Sequence, residues 1–320
     1  MTNPLVSICV TTFNHENYIE SCLMSALMQV VDGEIEILLG DDCSTDNTRS
    51  EIMSIIYRFP EKIKYFRREK NIGGSENLRD LLRKARGDYI AHLDGDDFWF
   101  PGKLKSQINF LKTNLQCTAC YTNAWVVSED LRPMGLFNNK IKTIFDIEYL
   151  LVEGNFLNHS SLVYRGSYRA HVSKMSSQLL DYGIHLELAG KGFLGYVDSA
   201  FVAYRHGSSQ SIIRSSTDQI RLLYLYALKD VFDRELASQA VRQISVANFW
   251  ARIVKDAIPK SRLSWAYHWG KELQRIFPSG IYQVLFLGLI QGCVMFSLAV
   301  IRRILSKAIG VEQVRIFNRR

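Results

Sequence analysis

The chain has 320 residues, 47% of them apolar and 22% charged, which is enough for a sizeable core and about two domains and excludes a disordered chain. The formal charge is +7, but residues 259–320 hold ten Lys or Arg against Glu272 and Glu312, while the remainder holds 29 against 30. The basic character therefore belongs to the tail, as a partner-binding surface would, and not to the body.

The opening "LVSICV" has no basic stretch before it and reads as a first strand, not a secretory leader. Six scattered cysteines without a small disulfide framework favour a reducing compartment, and "CTAC" at 117–120, with no second pair, reads as structural. Residues 5–10, 35–39, 63–66 and 88–93 are short, apolar and bounded by polar turns, as buried parallel strands are. Between them the pattern predicts helices at about 17–29, 47–58 and 75–86. In the last, Ser75 is positioned to cap, Leu78, Leu81, Leu82 and Ala85 form an apolar stripe, and Gly87 is positioned as the stop. Strand and helix in alternation predict a doubly wound α/β domain that binds ligands beyond the carboxyl ends of its strands.

Pro101 is expected to open a helix over 101–114. After it the pattern is mixed: strand-like "TACYTNAWVV", a helix near 145–152, strand-like "SSLVY", a helix near 177–190 and strand-like "GYVDSAFVAYR". From Thr217 the reading is helical nearly to the end.

Carboxylates stand at the ends of two of these strands, in "GDDCSTDNT" and "HLDGDD". In an extended segment alternate side chains share a face, so Asp94 and Asp96 are expected to point together and Asp97 away. Two hard oxygen ligands suit Mg²⁺ or Mn²⁺ held jointly with substrate phosphates; a polar turn capping the next helix is the plainer reading. Ser44, Thr45 and Asp46 read as caps, whereas Asp41 sits too early for that.

In combination, "VSICVTTFNHENYIESCLMSAL", "ILLGDDCSTDNT", "NIGGSENLRDLLRKARGDYIAHLDGDD" and, less closely, "LLDYGIHLELAGKGFLGYVDSAFVAYRHGSSQSI" resemble the family 2 glycosyltransferases of GT-A fold over about residues 5–213. The resemblance implies a Rossmann-like, mostly parallel sheet flanked by helices, with residues 1–215 as the nucleotide-sugar domain; the composition of the tail itself makes 216–320 a helical, basic, membrane-associating extension. It implies that Thr12 and Asn14 border the nucleotide, that Asp41 recognises the base, with uracil expected, and that Arg79 or Arg83 approaches the diphosphate or the sugar, a solvated helix face being the equal alternative for these two. Asp94 and Asp96 match the metal-binding DxD, and Asp181 matches the catalytic base. Arg205 and His206 fall where relatives have a loop that closes on the diphosphate; Arg205 and Asp94 are then expected at the donor and His206 at the metal. Leu180 replaces a residue often acidic or polar in relatives, which leaves Glu187 as a fallback base.

The activity so implied is inverting transfer of a sugar from a nucleoside diphosphate, a UDP-sugar first, to a hydroxyl of a saccharide or polyprenyl-linked acceptor, dependent on Mn²⁺ or Mg²⁺. His159 could orient the acceptor or be structural, and Phe98, Trp99 and Phe100 could stack on a sugar or belong to the core. A non-catalytic membrane-attached scaffold that binds nucleotide sugar is the alternative. A nucleotidyltransferase ranks lower, since "TTFNHENY" lacks a Gly- and Arg-rich phosphate loop.

From Ile281 to Ile301 no charged residue occurs for 21 positions, and Arg302, Arg303 and Lys307 follow. A spanning helix, an in-plane helix and a buried helix all fit this stretch. With the basic balance it predicts a membrane surface at the cytoplasmic face of the bacterial inner membrane, and no nucleic-acid partner.

Overall fold

Val6 to Val10 are buried at every position. A strand covered on both faces needs a continuous apolar run, not an alternating one, and this run forms β1 (Val6–Thr12). In the computed structural model, which describes residues 5–139, 142–175, 180–207, 217–278 and 281–309, β1 leads into α1 (Ile19–Leu27), β2 (Ile35–Asp41), α2 (Thr48–Arg58), β3 (Ile63–Arg67), α3 (Gly74–Lys84) and β4 (Tyr89–Asp94). β1 pairs in parallel with both β2 and β4, and β2 with β3. The order β3-β2-β1-β4 therefore reverses its winding at β1, where a crevice opens beyond the strand ends. The register sets Thr12 beside Asp41 and Thr11 beside Asp94, so these ends share one rim.

β5 (Phe98–Trp99), α4 (Lys103–Thr113), β6 (Cys117–Val127), β7 (Pro133–Leu136), β8 (Ile144–Phe145), α5 (Ile147–Glu153), β9 (Val163–Arg165), α6 (Arg169–Ser173), α7 (Asp181–Ala189) and β10 (Phe193–Arg205) follow. β9 is antiparallel to both β4 and β6, and β10 is parallel to β6, extending one mixed sheet. Cys117 and Cys120 lie buried in β6 as free thiols, joined by no disulfide.

Two helix starts differ from the sequence reading. α3 begins at Gly74 with no side-chain cap from Ser75, because Asp42 from the end of β2 accepts the Ile72 and Gly73 N–H groups at 2.8 and 2.9 Å. Gly73 has φ +83 there, a conformation that costs glycine little. α4 begins at Lys103, since Gly102 takes a left-handed φ of 85 and makes Pro101–Gly102 a turn. α3 also ends at Lys84, before Gly87; Gly87 packs on β1, where an added Cβ would stand 2.4 Å from the Ser7 nitrogen.

The chain divides into two compact units. Of the described residues, one holds those up to Asp146 and Phe156–Tyr224; the other holds Ile147–Asn155 and those from Leu225 to Ile309. The sequence-based boundary at 215/216 places α5 in the first, whereas α5 packs within the second, where Asn248 Nδ2 donates to the Val152 carbonyl at 2.9 Å. The remaining helices are α8 (Thr217–Asp233), α9 (Gln239–Ala257), α10 (Leu263–Ile276) and α11 (Ile281–Ile309). Trp250, Ala251, Val254, Trp269, Leu273 and Ile281 are buried in the second unit.

Candidate active site

β4 stops at Asp94 and the chain turns. The Asp97 N–H donates to the Asp94 carbonyl at 3.0 Å, and the Gly95 N–H donates to the Thr11 carbonyl at 2.8 Å. Gly95 is pressed against the end of β1: a Cβ there would stand 2.7 Å from His15 Nδ1 and 2.8 Å from Thr12 Oγ1. This turn overturns the expectation that Asp97 faces away from its neighbours. The alternation of side chains holds only in extended backbone, and once the chain turns Asp97 points inward and is 1% exposed.

Asp97 anchors the turn. Its Oδ2 accepts the Ser160 hydroxyl at 2.6 Å and its Oδ1 accepts the Arg205 N–H at 3.0 Å. Ser160 Oγ also accepts the Asp94 N–H at 3.2 Å. Burial first, then the neighbouring Asp96 and Asp94, push the Asp97 carboxyl well above its usual range. Burial likewise raises Asp94; His159 and His15 oppose the rise while Asp96 and Asp181 add to it.

Asp181 opens α7. Its Oδ1 accepts the Tyr182 N–H at 2.7 Å and the Tyr224 hydroxyl at 3.3 Å. Burial raises Tyr204, and Asp97, Asp96, Asp94 and Asp181 each raise it further. Four carboxylates from β4, its turn and α7 thus act on one neighbourhood.

Beside them, Asp41 is fully buried at the end of β2. Its Oδ1 accepts the Ser44 N–H and hydroxyl at 2.9 and 2.6 Å, its Oδ2 accepts the Tyr65 hydroxyl at 2.8 Å, and Arg67 Nε stands 3.6 Å away. Ser44 is therefore tied to Asp41 and is not a helix cap. Asn14 has a left-handed φ of 54 and joins the same corner: its N–H donates to Ser44 Oγ at 3.0 Å, and its Oδ1 accepts the Thr45 N–H at 2.8 Å. Thr12 is buried with Oγ1 3.2 Å from His15 Nδ1.

Arg205 is the last residue of β10 and not part of a loop. Its Nε donates to the Asp96 carbonyl at 2.7 Å and its Nη2 to Ser21 Oγ at 3.1 Å, and the guanidinium lies over the Tyr18 and Phe98 rings. The side chain expected at the diphosphate is thus committed to holding the carboxylate turn. His206 follows, exposed, with its N–H donated to the Val127 carbonyl at 2.9 Å. The loop beyond it, residues 208–216, lies outside the described residues.

Arg79 ion-pairs with Glu76 and donates to the Met175 carbonyl at 2.8 Å, and Arg83 is exposed. Glu187, the fallback base, is buried and stands 3.8 Å from Lys191. His159 Nε2 is 3.1 Å from His92 Nδ1 beneath the rim. Trp99 is core, its Nε1 donating to the Ser160 carbonyl at 2.7 Å, while Phe98 and Phe100 are half-buried.

A divalent ion suits this rim on its donor chemistry. Asp94 and Asp96 offer hard oxygens in a cluster whose burial and mutual repulsion raise Asp94 and Asp97, a strain that a cation relieves. Among the described residues no group of three or more His, Cys, Asp or Glu side chains stands close enough to hold an ion alone. His206 therefore does not complete a three-ligand set with Asp94 and Asp96.

The profile of "Glycosyl transferase family 2" matches residues 7–168. The chain belongs to that family. This family 2 chain is 34% identical over 139 residues to the "Putative teichuronic acid biosynthesis glycosyltransferase TuaG" of Bacillus subtilis, covering 43% of this chain and 54% of TuaG. It is 29% identical over 206 residues to an uncharacterised protein of Mycobacterium tuberculosis, covering 62% of this chain and 58% of that one. The match thus spans little more than half the length of these relatives. Among solved structures, TarS (residues 1–349) of S. aureus superposes with a TM-score of 0.66 at 17% identity, covering 91% of this chain and 88% of TarS. At that identity the likeness shows the GT-A fold.

Within the family 2 site, sequence reasoning missed Ser160, Asp97 as anchor, Tyr65, Arg67 and Tyr224. Ser160 and Tyr224 carry no motif. They reach the site only because β9's approach and α8 pass beside it. Arg67 was legible in principle, as a cation at the end of β3 on the same rim.

Proposed function

We propose that this family 2 chain is a metal-dependent, inverting glycosyltransferase that uses a nucleoside-diphosphate sugar, a UDP-sugar first, in bacterial surface-polysaccharide assembly. The carboxylate turn of Asp94, Asp96 and Asp97, held by Ser160 and Arg205 beside the Thr12–Asp41 corner, carries the reading. Solved TarS with UDP-GlcNAc and with UDP supports the donor class, and a mannosyltransferase of Pyrobaculum calidifontis solved with GDP-Man and Mn²⁺ (TM-score 0.52) supports a divalent ion.

Asp41, tied to Ser44 and Tyr65, forms the floor of the base pocket, and Thr12 and Asn14 border it. Asp94 and Asp96 would hold Mn²⁺ or Mg²⁺, which when bound neutralises charge on the leaving diphosphate. Asp181 takes the proton of the acceptor hydroxyl. That oxygen bonds to the anomeric carbon from the face opposite the diphosphate, the carbon–oxygen bond to the diphosphate breaks, and the centre inverts without a covalent enzyme intermediate. Proton transfer of this kind contributes roughly 10²- to 10⁴-fold. A polyprenyl-linked or saccharide acceptor at the cytoplasmic face of the inner membrane fits a name such as that of TuaG and the basic tail.

The test is nucleoside diphosphate release across a panel of donors, with and without Mn²⁺. Metal-dependent release that falls by at least about 10²-fold in both Asp181→Asn and Asp96→Ala is expected. Release by Asp181→Asn at the parental rate overturns the base assignment, and no release with any donor favours a binding scaffold.

A further inference from the structure

Among the described residues, one helix is long and apolar enough to cross a membrane by length and composition, over Ile281–Leu298, yet only 22% of those residues are buried. A core helix of a soluble protein would be mostly buried. The buried positions, Ile281, Val284, Gly288 and Gly292, fall on one face of α11 at helical spacing.

That face is occupied by the chain itself. A Cβ on Gly288 would stand 2.6 Å from the Ala247 carbonyl oxygen and 2.8 Å from the Trp250 ring, and one on Gly292 would stand 2.7 Å from the Ala251 oxygen and the Val254 side chain. The two glycines thus let α9 and α11 approach backbone to backbone, and Trp250 Nε1 donates to the Leu285 carbonyl at 3.1 Å. The small-residue spacing that in lipid would join two spanning helices is used up within the second unit.

The opposite face is apolar and open. Tyr282, Phe286, Ile290, Val294 and Leu298, each four residues on from the last, are between 46% and 74% exposed. α10 adds a polar border to it. Gln274 Nε2 donates to the Tyr282 hydroxyl at 2.9 Å. Lys271 and Tyr267, three and seven residues earlier on the same face of α10, are exposed, with the Lys271 ammonium over the Tyr267 ring at 5.6 Å. Arg302, Arg303 and Lys307 follow in α11 itself.

A spanning α11 would draw α9 into hydrocarbon with it, and α9 carries Arg242, Arg252, Lys255 and Asp256. Charges at that depth are expensive, whereas an apolar stripe bordered by tyrosine and lysine matches one leaflet's interface. We propose that α11 lies in the plane of an anionic membrane surface, with the Tyr282–Leu298 stripe dipped into one leaflet and α9 above it on the water side. The inference deepens the membrane part of the proposed function and rests on it for its purpose. Vesicle binding is measured without donor, so failure of docking and failure of transfer are read separately.

The experiment uses the full chain and vesicles of phosphatidylglycerol with phosphatidylcholine, against phosphatidylcholine alone. Sedimentation with the anionic vesicles is expected, weakened at least about tenfold on neutral vesicles or in 1 M salt, where exposed charges are screened. Phe286→Glu/Ile290→Glu should abolish it, and Lys271→Glu should weaken it on anionic vesicles only.

Depth then separates lying from spanning. In a Cys43→Ser/Cys293→Ser background, fluorophores at Tyr282→Cys and Leu298→Cys are quenched by brominated lipids. Lying in plane, both give the same shallow depth. A spanning helix would separate them by about 24 Å along the normal, and that result overturns the proposal. So does absence of binding to either vesicle, including the case in which the stripe instead joins two copies of the chain.

Discussion

The Ser160 hydroxyl donates to Asp97 Oδ2 at 2.6 Å while its oxygen receives the Asp94 N–H at 3.2 Å. One small side chain thereby holds both ends of the carboxylate turn. Removing it leaves the buried Asp97 carboxyl short of a donor, which costs about 1–3 kcal/mol. Ser160→Ala should lower the melting temperature accordingly. It should also raise the Mn²⁺ concentration needed for half-maximal diphosphate release by roughly 10- to 100-fold, the usual effect of losing a group that orients a metal ligand. Unchanged values in both measurements would show that the turn is held without Ser160.

Gly95 sits where any side chain collides with His15 and Thr12. Overpacking of this kind costs about 1–3 kcal/mol, and here the chain that must move carries Asp94 and Asp96. Gly95→Ala should unfold at lower temperature in thermal denaturation and lose metal-stimulated release. An alanine variant with parental release would mean that the turn accommodates a Cβ.

The Tyr224 hydroxyl bonds Asp181 Oδ1 at 3.3 Å. Tyr224→Phe keeps the ring against Tyr182, centred 5.3 Å away, and removes the hydroxyl that makes that bond. A hydrogen bond of net strength about 0.5–1.5 kcal/mol predicts a two- to tenfold fall in kcat with donor KM unchanged. A fall in donor KM or in melting temperature alone would assign Tyr224 to packing.

Asp97 predicts a pH signature. Its folded value lies above the ordinary aspartate value of 3.8 because of burial and of Asp96 and Asp94. The folded state therefore holds a proton that the unfolded state has released, so metal-free stability falls as pH rises from 3.8 toward the raised folded value. His92 and His185, driven well below their usual range by burial, act oppositely and add stability as pH rises toward 6.5. The comparison of interest is parent against Asp97→Asn. In metal-free thermal scans the variant should lose the downward component above pH 3.8, so that its curve rises relative to the parent's with pH. Parallel curves would show that Asp97 does not hold this proton.

The amino-acid sequence by itself determined the alternation of strands and helices, the acidic ends of β2 and β4, the one-sided apolar face of α3 and the basic apolar tail. These follow from local sequence, because a strand buried on both faces needs a continuous apolar run and a helix buried on one face imposes a period that neighbours in sequence reveal. Only the tertiary structure decided which carboxylate faces inward, which groups hold it, and which face of α11 is spent on α9. Ser160 meets Asp97 across 63 residues, Tyr224 meets Asp181 across 43 and Arg205 meets the Asp96 carbonyl across 109. Such bonds depend on where strands and helices cross, and no local period encodes a crossing. The turn at Gly95 ended the alternation on which the sequence reading of Asp97 relied, and the commitment of Arg205 to that turn followed from the pairing of β10 with β5 beside it.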